Sequence, residues 1–151
     1  MQIRQARPGD EAPMARLRDA IDRARGEGRP NAPARLRRFY IDHGDRLSCV
    51  VAEEAGGLLG FQSLKRVREG NEYDVPGGWG VIGTYVAPGA WRRGIGRALF
   101  AANLAAAEGV SLAVIDATVG AKNALGIGFY TAIGFRPWRV VPGAVGLRFD
   151  L

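Results

Sequence analysis

The alternation of apolar and polar positions divides this chain into short strands and amphipathic helices. Residues 2–6 read as a first strand, stopped by Pro8-Gly9. Asp10 is a candidate N-cap with Pro13 tolerated in the first turn, and Met14, Leu17 and Ile21 recur at helical spacing to about residue 25. Gly26-Glu27-Gly28-Arg29-Pro30 breaks the run. A second helix is predicted from about Ala32 to His43, with Leu36, Phe39 or Tyr40, and His43 on one stripe, ended by Gly44. Residues 47–54 and 58–69 form two strands around the turn Ala55-Gly56-Gly57, the pattern of a hairpin. A polar loop over 70–78 leads to a strand over 79–86 that contains Gly80 and Gly83. The third helix starts near Ile95, packs through Leu99, Ala102 and Ala106, and closes at Gly109. Residues 110–118 are almost wholly apolar, as in a strand buried on both faces. A helix over 122–133 is stopped by Gly134, and strands over 135–141 and 144–150 finish the chain.

The order β-α-α-β-β-β-α-β-α-β-β predicts an antiparallel meander. It also predicts a right-handed parallel crossover between the strands at 79–86 and 110–118. With no repeat, low-complexity segment or linker, residues 1–151 are expected to form a single domain.

Composition adds mainly exclusions. The 47% hydrophobic and 24% charged content is that of a soluble globular protein. No apolar run approaches the ~18–20 residues of a membrane span, and Met1-Gln2-Ile3-Arg4 lacks a signal pattern. The single cysteine, Cys49, reads as a small buried hydrophobe and fits a reducing, cytoplasmic setting. His43, the only histidine, reads as a helix-end residue, and no metal is expected. The net charge of +6 raises the question of nucleic acid, yet residues 1–50 mix eleven arginines with seven acids, and no run reaches five like charges. Neither nucleic acid nor membrane is expected as a partner, although a homodimer fits.

One stretch departs from this bland distribution. Tyr85 to Phe100 runs from a strand end into a helix with no Ser, Thr, Asp or Asn cap; Gly94 and Gly96 instead alternate with Arg92, Arg93 and Arg97. Cations there oppose the helix dipole by roughly 0.3–1 kcal/mol each. Free amides, glycines and arginines together suit a bound anion. A P-loop is excluded because Ile95 stands where its lysine belongs, and a dinucleotide fingerprint because Leu99 replaces its third glycine.

Val86-x-Pro88 followed by Arg93-Gly94-Ile95-Gly96-Arg97-Ala98-Leu99 resembles the acetyl-CoA motif of the GNAT superfamily of N-acetyltransferases. Asn123 to Phe135, about 35 residues further on, resembles the family's late segment, and Ile3 to Asp10 is similar to a family N-terminus. The likeness spans essentially the whole chain. Two departures stand out. Trp91 falls where the family carries Arg or Gln, and Gly126 and Gly128 displace residues usual in the late segment. Each of those glycines costs a helix about 0.5–1 kcal/mol relative to Ala, which close approach of a ligand or strand backbone would explain.

The resemblance implies an α/β (α+β) fold: a mixed, mostly antiparallel sheet of about six or seven strands, four helices on both faces, and a splayed strand pair at the cofactor site. It implies acetyl-CoA as co-substrate, held by Tyr85, Val86, Arg92, Arg93, Gly94, Ile95, Gly96, Arg97, Asn123 and Tyr130. The implied reaction is direct attack on the thioester by the primary amine of a small-molecule or amino-acid-like acceptor. An amine of pKa near 10.4 must first lose a proton. Val86 would then donate its amide to the oxyanion, and Tyr130 a proton to the thiolate. The strand before the motif carries no carboxylate, leaving Glu72, Asp74, Asp116 or water as the base. That missing carboxylate favours an alternative, a catalytically silent acyl-CoA sensor. A nucleic-acid module built on the arginine cluster is disfavoured by the scattered charge elsewhere.

Overall fold

A seven-stranded sheet with helices on both faces organises the computed structural model, which describes residues 1–28 and 30–151. The elements are β1 (Gln2–Gln5), α1 (Glu11–Ala24), α2 (Pro33–Leu36), β2 (Arg46–Glu54), β3 (Gly57–Arg66), β4 (Gly80–Val86), α3 (Ile95–Gly109), β5 (Val114–Gly120), α4 (Ala124–Ala132), β6 (Arg136–Val141) and β7 (Ala144–Asp150). The strand order is β1-β2-β3-β4-β5-β7-β6. All neighbours are antiparallel except β4 and β5, which α3 joins as the parallel crossover.

Period-two alternation assigns each strand residue to one face. Cys49, Val51 and Phe61 face α1 and α2 in a core with Met14, Leu17, Ile21, Leu36 and Tyr40. Val50 and Ala52, one residue out of phase, meet Ile95 and Leu99 of α3 on the other face. There Leu64, Ile82, Ile115, Ala117 and Leu147 pack against Phe100 of α3 and Tyr130 of α4. Among the described residues, no helix is long and apolar enough to cross a membrane.

β4 and β5 pair only at Gly80 with Ile115 and Val81 with Asp116, although both strands run on for several residues. Beyond Val81 they diverge.

Four local expectations change. Asp10 starts α1 but does not cap it with its side chain, because its carboxylate accepts from Arg4 at 2.8 Å and from the Arg7 amide at 2.9 Å. The second helix is α-helical only to Leu36 and widens into a π-helical turn over Arg37–Ile41, closed by Asp42 N–H to the Arg37 carbonyl at 2.8 Å. Tyr40 and Ile41 of this wider turn are both buried. The strand expected from 110 begins at Val114, because the chain first turns back onto α3 through Ser111 (φ 54°) and Leu112, whose amide reaches the Ala107 carbonyl at 3.0 Å. The strand expected to run from 58 to 69 ends at Arg66.

Candidate active site

The divergence of β4 and β5 opens a cleft of about 840 Å³ that crosses the sheet from the α1–α2 side to the start of α3. The amide of Ala87 donates to the Leu59 carbonyl at 2.8 Å, so the β3–β4 ladder engages alternate residues and turns the amides of Thr84 and Val86 toward the gap left by β5. The Val86 carbonyl is occupied, because Trp91 donates to it from Nε1 at 3.1 Å. Trp91, the departure from the family pattern, thus pins the strand end while lining the cleft.

At the α3 end, Gly94 holds φ 79° as N-cap, no side chain caps the helix, and a Cβ on Gly94 would meet nothing within 4 Å. Left-handed backbone and open space are what an anion approaching free amides requires. Ile95, Gly96, Arg92 and Arg97 also line the cleft, with Arg92 itself at φ 65°. Arg93 does not line it; its guanidinium turns to the Glu54 carboxylate at 3.2 Å. Gly96 answers to packing, since a Cβ there would lie 2.6 Å from Phe129 Cε1 of α4. Gly126 is explained similarly, by Val119 and by Asn123, whose Oδ1 accepts from the Gly126 amide at 3.0 Å and caps α4. Gly128 opens onto the cleft with nothing within 4 Å of its would-be Cβ.

Tyr130 projects from α4 to the same opening. Its hydroxyl lies 2.9 Å from Thr84 Oγ1, which accepts from Gln62 Nε2 at 2.9 Å, and Asn103 Nδ2 donates to Gln62 Oε1 at 2.9 Å. Burial pushes the Tyr130 phenol well above its usual range, so it is protonated at neutral pH.

On the α1–α2 side, Asp116 is the one carboxylate lining the cleft among the described residues; Glu72 and Asp74 are exposed and outside it. Asp116 accepts from Trp138 Nε1 at 2.9 Å and Thr118 Oγ1 at 3.0 Å. Burial pushes its carboxyl up, against the pull of those two donors. Tyr85 points to this side, against Phe61 and under the Arg18 guanidinium at 4.3 Å from its ring. Sequence reading passed over Lys65, which lines the same wall and is only 2% exposed. Its signal was present: one of only two lysines, it stands in phase with Phe61 and Ser63 on a strand facing the core. His43 and Cys49 do not line the cleft: His43 Nδ1 accepts from the Asp45 amide at 3.1 Å, and burial pushes the Cys49 thiol up to about 12.

The sequence model of the acetyltransferase (GNAT) family matches residues 14–135. No curated protein matches the sequence. Many solved structures share the fold. The GNAT domain of S. lividans PAT superposes with a TM-score of 0.83 at 20% identity, covering 99% of this chain and 89% of that one. The yncA protein of Salmonella typhimurium, assigned as an acetyltransferase and solved with its cofactor acetyl-CoA, gives 0.78 at 19% identity, covering 99% and 93%. PaiA N-acetyltransferase from Thermoplasma acidophilum, in complex with coenzyme A, gives 0.77 at 16% identity, covering 99% and 98%.

Proposed function

Because the chain belongs to the acetyltransferase (GNAT) family, we propose that it moves an acetyl group from acetyl-CoA to the primary amine of a small-molecule or amino-acid-like acceptor by direct attack. The observation that carries this reading is the early parting of β4 and β5. It gives one cleft with an uncapped helix start at one end and a buried carboxylate at the other. The open Cβ position at Gly94 fits a pyrophosphate, as do Arg92 and Arg97, which line the cleft and enter no ion pair among the described residues. Two proteins of the same fold bind acetyl-CoA or CoA.

Acetyl-CoA supplies an activated thioester carbonyl. The α3 amides with Arg92 and Arg97 hold its anionic part, and Asn123 fixes the neighbouring start of α4. Asp116 takes, through a chain of waters, the proton that the acceptor ammonium must lose, because its register beside Val81 sets it five residues along β4 from Val86. The Val86 amide donates to the carbonyl oxygen as negative charge develops. Tyr130 donates its proton toward the departing sulfur. If Thr84, already accepting from Gln62, donates to Tyr130, the phenolic hydrogen is left free for that task. Asp116 lies on β5 and not on β4, and a carboxylate lining the cleft supports the enzyme reading over a silent sensor.

The test is thiol release from acetyl-CoA across a panel of amines, with thermal unfolding in parallel. Amine-dependent release and a melting temperature raised by acetyl-CoA are expected. No thermal shift at millimolar acetyl-CoA overturns the donor assignment. A shift without turnover of any amine returns the sensor reading.

A further inference from the structure

Lys65 is a buried ammonium with no ion pair among the described residues; the carboxylates that act on it from a distance, Glu72 and Asp45, lie outside the cleft lining. It sits 3.3 Å over the Phe39 ring and donates to Tyr73 Oη at 3.1 Å, and both partners are neutral. None of the ion pairs among the described residues includes Lys65. An ammonium has three donor positions, and stripping it of water is costly unless an anion replaces the water. The surroundings deepen the imbalance. Arg25 lines the same wall, and Arg18 lies behind it, donating to Tyr40 Oη at 2.9 Å with its Nε buried and unpartnered. Among the described residues, Asp116 is the single acid of the lining.

Lys65 and Asp116 flank Val81 in one row across β3, β4 and β5, which puts both side chains on the same face of the sheet. Two strand spacings set their Cα atoms about 10 Å apart. One cation and one anion therefore face a common space without neutralising each other. A polyamine would meet cations there, whereas a zwitterion meets an opposite charge at each end.

We propose that the acceptor is an amine that also bears a carboxylate, with Lys65 receiving the carboxylate while the amine lies toward Asp116. This rests on the acetyl-transfer reading above. Lys65 is a specificity determinant: it separates amino acids from amines of equal size that lack the charge.

The test compares amino acids with their own primary carboxamides, which keep the amine and the shape but lose the negative charge. Wild-type enzyme is expected to favour the acid by at least about tenfold in kcat/KM. In Lys65→Met the ratio should fall to within about threefold, through a raised KM for the acid. A thermal shift by acetyl-CoA checks that the variant is folded, and Lys65→Gln repeats the measurement if Met fails. Carboxamides used as well as acids by the wild type, or an acid preference that survives in Lys65→Met, overturns the proposal while leaving acetyl transfer intact. If no amine is acetylated, acetyl transfer fails separately. Calorimetric titration with the same acid–carboxamide pairs then decides the anion site: acid binding weakened in Lys65→Met supports it, and equal binding of both compounds rejects it.

Discussion

The phenolic oxygen of Tyr130 lies 2.9 Å from Thr84 Oγ1, joining the last helix to the strand that opens the cleft. Behind Thr84 stand Gln62 and Asn103, both fully buried. Tyr130→Phe should lower kcat roughly 100-fold, the usual scale for a general acid, with little change in acetyl-CoA KM. Thr84→Val strands the Gln62 amide and should cost about 1–3 kcal/mol of stability as well as some kcat. Steady-state kinetics with urea unfolding separates the two, and an unchanged kcat in Tyr130→Phe removes Tyr130 from the chemistry.

Asp116 carries a carboxyl held above its ordinary value by burial. Its folded form therefore binds the proton more tightly than the unfolded chain does. Stability from this group is present at low pH and lost as pH rises through its folded value. Asp116→Asn should be at least as stable as wild type at neutral pH, yet lose roughly 10²–10⁴ in kcat/KM and the acidic limb of its pH profile. Near-wild-type turnover would assign proton removal to water.

Lys65 has the opposite sign. Burial lowers its pKa from 10.5 to about 8, so between these values the unfolded chain holds more protons and stability rises with pH. Lys65→Met should flatten that rise and match or exceed wild-type stability at neutral pH, because an uncompensated buried charge has gone. Urea midpoints at neutral pH and near the upper value check this, and identical pH slopes in the two proteins would refute it.

Two glycines of the helix start should behave differently. Gly96→Ala drives a methyl into Phe129 and should cost about 1–3 kcal/mol, relieved by Phe129→Leu. Gly94→Ala meets no atom but must hold φ 79°, costing about 1 kcal/mol and disturbing the open cradle. Acetyl-CoA affinity should fall in Gly94→Ala more than in Gly96→Ala; calorimetric titration reads the difference.

Arg93 is tied to Glu54 on the outside of the cleft, while Arg97 lines it. Arg97→Gln should raise acetyl-CoA KM several-fold, the worth of one phosphate-directed cation. Arg93→Gln should change it less than about twofold, since an exposed pair contributes little. Equal effects from both would return Arg93 to the cradle.

Local chemistry was enough for the sequence alone to determine the element order, the meander and crossover, and the uncapped start of α3. Apolar period, turn glycines and a missing cap are each written within a few consecutive residues. The family likeness rests on the same short motifs. The tertiary structure decided what depends on register between distant strands. Pairing of β3, β4 and β5 sets Lys65 and Asp116 in one row and leaves Glu72 and Asp74 outside. It was the fold, too, that turned Arg93 toward Glu54, set Phe129 against Gly96 and gave Trp91 the Val86 carbonyl. Side-chain direction follows from which strand lies alongside, and strand registry is a property of the whole sheet, beyond the reach of any stretch of sequence.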